Sequence, residues 1–118
     1  MEKSILETIK KMLGYERSYT PFDEELIALI NSFLPIAFQL GVGEESFVID
    51  GYDETWEDLV GDVDDKNQLK MLQTWLFMQV KLAHDPPASS YVCDLFKERI
   101  KEFEWRTNVA IDPPEEWD

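Results

Sequence analysis

The sequence predicts an all-α protein: a small bundle of four main helices plus one short helix, with a long acidic loop and an extended C-terminal tail. Apolar residues recur at helical spacing in four separate stretches, and each stretch opens on a capping signal or closes on glycine or proline. No long alternation of polar and apolar residues argues for a sheet. The 118 residues fit one domain, expected over 1–107, followed by a tail over 108–118.

Ser4 and Glu7 have capping-box spacing, and Ile5, Leu6, Ile9, Met12 and Leu13 make one stripe that ends at Gly14. The second helix is announced by Thr20 as cap, Pro21 at the first helical position and Asp23, Glu24 and Glu25 at the positive dipole end. It runs to Gly41 through Leu26, Ile30, Leu34 and Ala37, and Leu29, Ile36 and Phe38 broaden its apolar face. That breadth predicts the central, most buried helix. Pro35 inside it removes the partner of the Asn31 carbonyl.

Residues 44–65 hold ten acidic residues and no Lys or Arg, interleaved with Phe47, Val48, Ile49, Tyr52, Trp56 and Leu59. Like-charge repulsion opposes tight packing while the apolar residues need cover, so the expectation is a loop anchored at a few points, with a short helix over 55–60. Residues 46–50 can be extended but have no evident strand partner. Asp65 and Gln68 repeat the capping spacing ahead of Leu69, Leu72, Leu76 and Val80, and that helix stops at Asp85-Pro86-Pro87. Ser89 or Ser90 caps a last helix with Val92, Leu95, Phe96, Ile100 and Phe103 inward, expected to end near Thr107.

Charge narrows the function. Eleven basic against 25 acidic residues leave a net charge of −14, which opposes any general binding of nucleic-acid phosphate or anionic membrane. The longest uncharged stretch, 26–43, is too short and too polar to span a bilayer. The opening Met1-Glu2-Lys3-Ser4 lacks the apolar run of a signal peptide, so a protein of the cell interior is expected.

No catalytic, metal or cofactor site is expected. The five glycines are scattered and none precedes a Lys-Ser or Lys-Thr pair, so no phosphate loop is visible. His84, the single histidine, reads as a helix-end residue, and the single Cys93 as an inert thiol. The acidic run fails calcium-loop spacing: counting from Asp62, position five is Lys66 and position twelve Gln73. Trp105 reads as a core or helix-edge residue, whereas Trp117 either folds back on its own domain or anchors a partner.

Several landmarks in order carry a resemblance: Thr20-Pro21-Phe22-Asp23-Glu24, Gln39-Leu40-Gly41-Val42-Gly43, Glu54-Thr55-Trp56, Asp85-Pro86-Pro87 before Ser89-Ser90, and Phe103-Glu104-Trp105-Arg106-Thr107-Asn108-Val109. Together, over residues 4–113, they resemble the head–tail connector (adaptor, or neck) proteins of long-tailed bacteriophages and prophages, often labelled DNA-packaging proteins. The resemblance implies a non-enzymatic virion protein of the neck, made in the bacterial host cytoplasm. It implies a ring of about twelve copies below the portal protein, touching the next neck or tail-completion protein, with DNA passing through unbound. A ring needs two complementary surfaces, and the candidate inter-subunit contacts are Lys97, Arg99 and Lys101 against Asp53, Glu54 and Asp58. The family's use of its C-terminal segment points to Trp105, Arg106, Pro113, Pro114 and Trp117 for portal docking. The rival reading is an acidic DNA mimic that inhibits a nucleic-acid-binding protein; it predicts a monomer or dimer rather than a ring.

Overall fold

A computed structural model describes residues 4–43, 45–61 and 66–111, with 66 and 106–111 as backbone only. Five helices follow in order: α1 (Ile5–Leu13), α2 (Asp23–Gln39), α3 (Trp56–Val60), α4 (Lys66–His84) and α5 (Ser90–Ile111). Among the described residues there is no strand. The one extended pairing is an isolated antiparallel bridge between Ser4 and Thr55, where the Ile5 N–H donates to the Glu54 carbonyl at 3.0 Å.

The helix boundaries follow the local chemistry. The Ser4 hydroxyl accepts the Glu7 N–H, and Gly14, at φ +93°, closes α1 by donating to Lys11 while Tyr15 donates to Lys10. The Thr55 hydroxyl and the Asp58 carboxylate form a reciprocal capping box on α3. Ser89 caps α5: its carbonyl accepts the Cys93 N–H and its hydroxyl faces the Val92 N–H at 3.4 Å. The cap expected at Asp65 lies outside the described residues.

Three expectations need correction. Thr20 does not cap α2 with its side chain; Thr20-Pro21-Phe22 form a turn, closed by the Asp23 N–H on the Thr20 carbonyl, and Phe22 occupies the cap position. α5 does not end near Thr107 but continues to Ile111, so 108–111 are helical where extended chain was expected. No glycine or proline intervenes before Pro113, and a proline restricts chiefly the residue ahead of it, here Asp112. Finally, α2 is not the most buried helix. Of its apolar residues only Leu26, Ile30, Leu34 and Ala37 are buried, while Ile36 and Phe38 reach the surface. The centre is α4, which packs against α1, α2 and α5 through Leu72, Trp75, Leu76, Met78 and Val80. Hydrophobicity all round gave α2 more apolar residues than its neighbours can cover.

α4 and α5 run antiparallel as a hairpin across Asp85–Ser89. Trp75 stacks on Phe103 with ring centroids 5.9 Å apart, Phe77 meets Phe96 at 6.2 Å, and the Trp75 indole N–H donates to Glu104.

The acidic loop is held down at discrete points. The Asn31 side chain clamps Ile49 on both backbone groups, donating to its carbonyl at 2.9 Å and accepting its N–H at 2.8 Å. The extended segment thus finds an amide side chain where a strand partner was missing. The Trp56 indole N–H donates to the Thr8 hydroxyl at 3.0 Å. Gly43, at φ +88°, lies against Leu59, and a Cβ there would come within 2.8 Å of its Cδ1, so the approach of the loop to α3 requires glycine.

The deepest anchor is Lys10, 1% exposed. Its Nζ donates to the Arg17 carbonyl at 3.0 Å, the Tyr19 carbonyl at 2.6 Å and the Tyr52 hydroxyl at 2.6 Å, and lies 2.8 Å from Asp23 Oδ1. The Tyr52 hydroxyl donates to Asp23 Oδ2 at 2.8 Å, and the Arg17 guanidinium stacks over its ring at 4.5 Å. One ammonium therefore ties α1, the turn ahead of α2, the first residue of α2 and the acidic loop. Burial pulls its pKa down, but hydrogen bonds and charge from Asp23 and Tyr52 outweigh it and hold the pKa above the ordinary 10.5.

Two outcomes follow. Lys10→Met strands the Asp23 carboxylate and two carbonyls, and a urea titration should show a loss of about 3–5 kcal/mol, the range for breaking a buried pair. Because the folded pKa is raised, the stabilisation from Lys10 is complete below pH 10.5 and disappears as pH rises through the folded value. Thermal melts should therefore fall more steeply above pH 10.5 for the natural chain than for Lys10→Met; parallel profiles would refute the role of the ammonium.

Candidate docking surfaces

α5 sets out most of the exposed side chains of interest. Val92, Phe96, Ile100 and Phe103 share the face turned to α4, so Tyr91, Glu98 and Trp105 are directed outward by the 100° helical step. Tyr91 is 74% and Trp105 59% exposed, the two most exposed large hydrophobic side chains described. They stand near the two ends of the same outer stripe. Trp105 is therefore a surface residue, against the core or helix-edge reading.

The basic candidates divide. Lys97, Arg99 and Lys101 are all exposed. Lys97 and Lys101 are one turn apart on one flank of α5, whereas Arg99 is rotated to the other flank, beside α4. There it faces Glu102 at 3.9 Å, too long for a hydrogen bond. A single partner surface cannot meet all three from one side.

The acidic candidates differ in what they already do. Glu54 accepts the Asp50 and Gly51 N–H groups at 3.1 and 3.4 Å and so shapes the loop. Asp58 accepts the Thr55 N–H at 3.0 Å in the α3 capping box. Asp53 is exposed and makes no side-chain bond among the described residues. Of the three it is the carboxylate available for a partner. The side chain of Arg106 and the whole of Pro113, Pro114 and Trp117 lie outside the described residues.

The remaining chemistry-bearing groups serve the fold. His84, with its side chain 4% exposed, bridges the Tyr15 hydroxyl at Nε2, 3.0 Å away, and the Glu25 carboxylate at Nδ1, joining the exits of α1 and α4 to α2. Phe22 meets its ring edge-on at 4.8 Å. The Cys93 thiol donates to the Pro87 carbonyl at 3.3 Å. Among the described residues, no three His, Cys, Asp or Glu converge on a metal-sized site, and no helix is long and apolar enough to cross a membrane.

Two features escaped the sequence reading. Lys10 lies four residues after Leu6 and three before Leu13, on the apolar stripe of α1, and a lysine in that register signals a buried cation. The second is an open groove of about 460 Å³ between α4 and α5, lined by residues including Lys70, Met71, Met78 and Phe103. It arises from helix packing and has no local signal.

Compared with known proteins, residues 5–114 match the profile of the family described as phage connector protein. No curated relative and no solved structure matches.

The acidic trio should separate on substitution. Asp58→Ala removes the acceptor of the Thr55 N–H and should lower stability by about 0.5–1.5 kcal/mol in chemical denaturation, the usual range for one hydrogen bond. Asp53→Asn should leave the midpoint unchanged. Equal losses would mean that Asp53 is structural too.

Proposed function

This chain belongs to the phage connector protein family, and from that we propose that it forms a ring below the portal, joining phage head to tail and continuing the DNA channel. The family is one of structural connectors of the virion neck, not of enzymes. The observation that carries the reading is the match over 5–114, which takes in all five helices.

Two physical features support the finer picture. A ring built head to tail needs unlike surfaces on each subunit. Asp53 on the acidic loop and the Lys97–Lys101 flank of α5 supply opposite charges on different elements, exposed and unused by the core. A net charge of −14 on every copy also repels the phosphate backbone, so a duplex would slide past such a ring without being gripped. The portal and the next neck protein are the proposed partners, with Trp105 and the C-terminal residues Arg106, Pro113, Pro114 and Trp117 proposed for portal docking.

The test is electron microscopy of particles from the parent phage or prophage lacking this gene. Unjoined tails beside empty or leaking heads are expected. Normal infectious virions would discard the connector role and bring the DNA-mimic inhibitor forward. Complementation with Lys97→Gln, Lys101→Gln and Arg99→Gln combined should yield few joined particles, although these exposed substitutions should each change fold stability by less than about 0.5 kcal/mol. Full rescue would remove α5 from the subunit interface.

A further inference from the structure

The groove between α4 and α5 is mostly apolar, with Lys70, Arg99 and Glu102 at its rims. Met78 and Phe103 are buried on its floor, Met71 is partly exposed, and Lys70 and Arg99 stand on opposite walls. The Arg99 side chain is 64% exposed and Glu102, the acid lining the groove, approaches it only to 3.9 Å. Lys70 has no ion-pair partner among the described residues. In a chain of net charge −14, two basic side chains flanking an open, largely apolar groove are an unusual concentration, and their chemistry selects an acidic peptide carrying a large apolar side chain.

Such a peptide lies just beyond α5. The residues after Ile111 are Asp112-Pro113-Pro114-Glu115-Glu116-Trp117-Asp118, four acids and one indole. We propose that in the free subunit this C-terminal segment folds back into the α4–α5 groove of its own chain, with Trp117 over Met71, Met78 and Phe103 and its carboxylates toward Lys70 and Arg99.

Reach and sequence both allow it. From Ile111 back to Phe103 is eight helical residues, about 12 Å along the axis. The six residues from Ile111 to Trp117 span up to about 20 Å when extended. Pro113 and Pro114 lack the N–H that a helix interior uses, which opposes continuing α5 through them. α4 begins alongside the end of α5, because the hairpin is antiparallel, so the groove opens toward the point where the segment emerges. A tether this short gives an effective concentration in the millimolar range, which favours the segment's own groove over that of a neighbour. The inference stands on the groove and the segment alone and does not depend on the connector role. If both hold, a docking partner would have to displace the segment.

A fluorescent peptide of residues 112–118 tests this by anisotropy against two full-length proteins, the natural chain and a released chain carrying Glu115→Lys, Glu116→Lys and Trp117→Ala. The released chain should bind the peptide roughly tenfold or more tightly than the natural one, because its groove is open. Binding should weaken with salt and disappear when Lys70→Glu and Arg99→Glu are added. Circular dichroism of each variant checks the fold. Equal binding to both chains, or to neither, overturns the proposal. Sedimentation supplies a second readout: an unchanged monomer mass between natural and released chains supports docking within the chain. A natural oligomer that the release dissociates would overturn it in favour of docking between copies.

Discussion

The structure depends on an ammonium group that has been taken out of water. A buried lysine is tolerated only when every proton finds an acceptor and the charge finds a partner. Lys10 meets this with two backbone carbonyls of the turn ahead of α2, the carboxylate of the first residue of α2 and a tyrosine hydroxyl of the acidic loop. Hydrophobic burial is indifferent to which apolar surface meets which. This contact is directional, and it fixes where the acidic loop lies against α1 and α2.

That constraint explains how residues 45–61, with six acids and no bases, are held against the helices. Tyr52 brings it to the Lys10 site, Asn31 holds Ile49, and Thr8 receives Trp56, so three polar contacts fasten the segment while its apolar residues Ile49, Trp56 and Leu59 join the core. Some of its carboxylates are turned inward on the loop's own backbone, as at Glu54 and Asp58. Asp53 is left facing solvent. A loop with fixed geometry and outward charge is a surface that a partner protein can fit.

Placing α4 at the centre has a second consequence. With α1, α2 and α5 arranged around it, α5 is covered on one side only and presents a stripe with Tyr91 and Trp105 near its ends, flanked by Lys97 and Lys101 on one side and Arg99 on the other. α2 likewise leaves Ile36 and Phe38 at the surface. Large apolar side chains exposed on two different helices are surfaces that a partner protein can cover.

The sequence by itself determined the helices, their order and most of their ends, because caps, glycines and prolines act within a few residues. Ser4, Gly14, Thr55, Ser89 and Asp85-Pro86-Pro87 were legible for that reason, and the ordered landmarks were enough to point to the connector family. Where the local rule was outvoted, the reading failed: Thr20 sits in a turn rather than at the cap, whereas Asp23, Glu24 and Glu25 do occupy the first turn of α2, Asp23 serving Lys10 and Tyr52 as well. Only the tertiary structure decided which helix is central, since apolar breadth measures what a helix could bury and not what surrounds it. It alone also put Arg99 on a different flank from Lys97 and Lys101, beside the groove lined by Lys70 on α4, and gathered Lys10, Asp23 and Tyr52 at one point. These are relations between residues distant in sequence, set by packing geometry, and no local pattern encodes them.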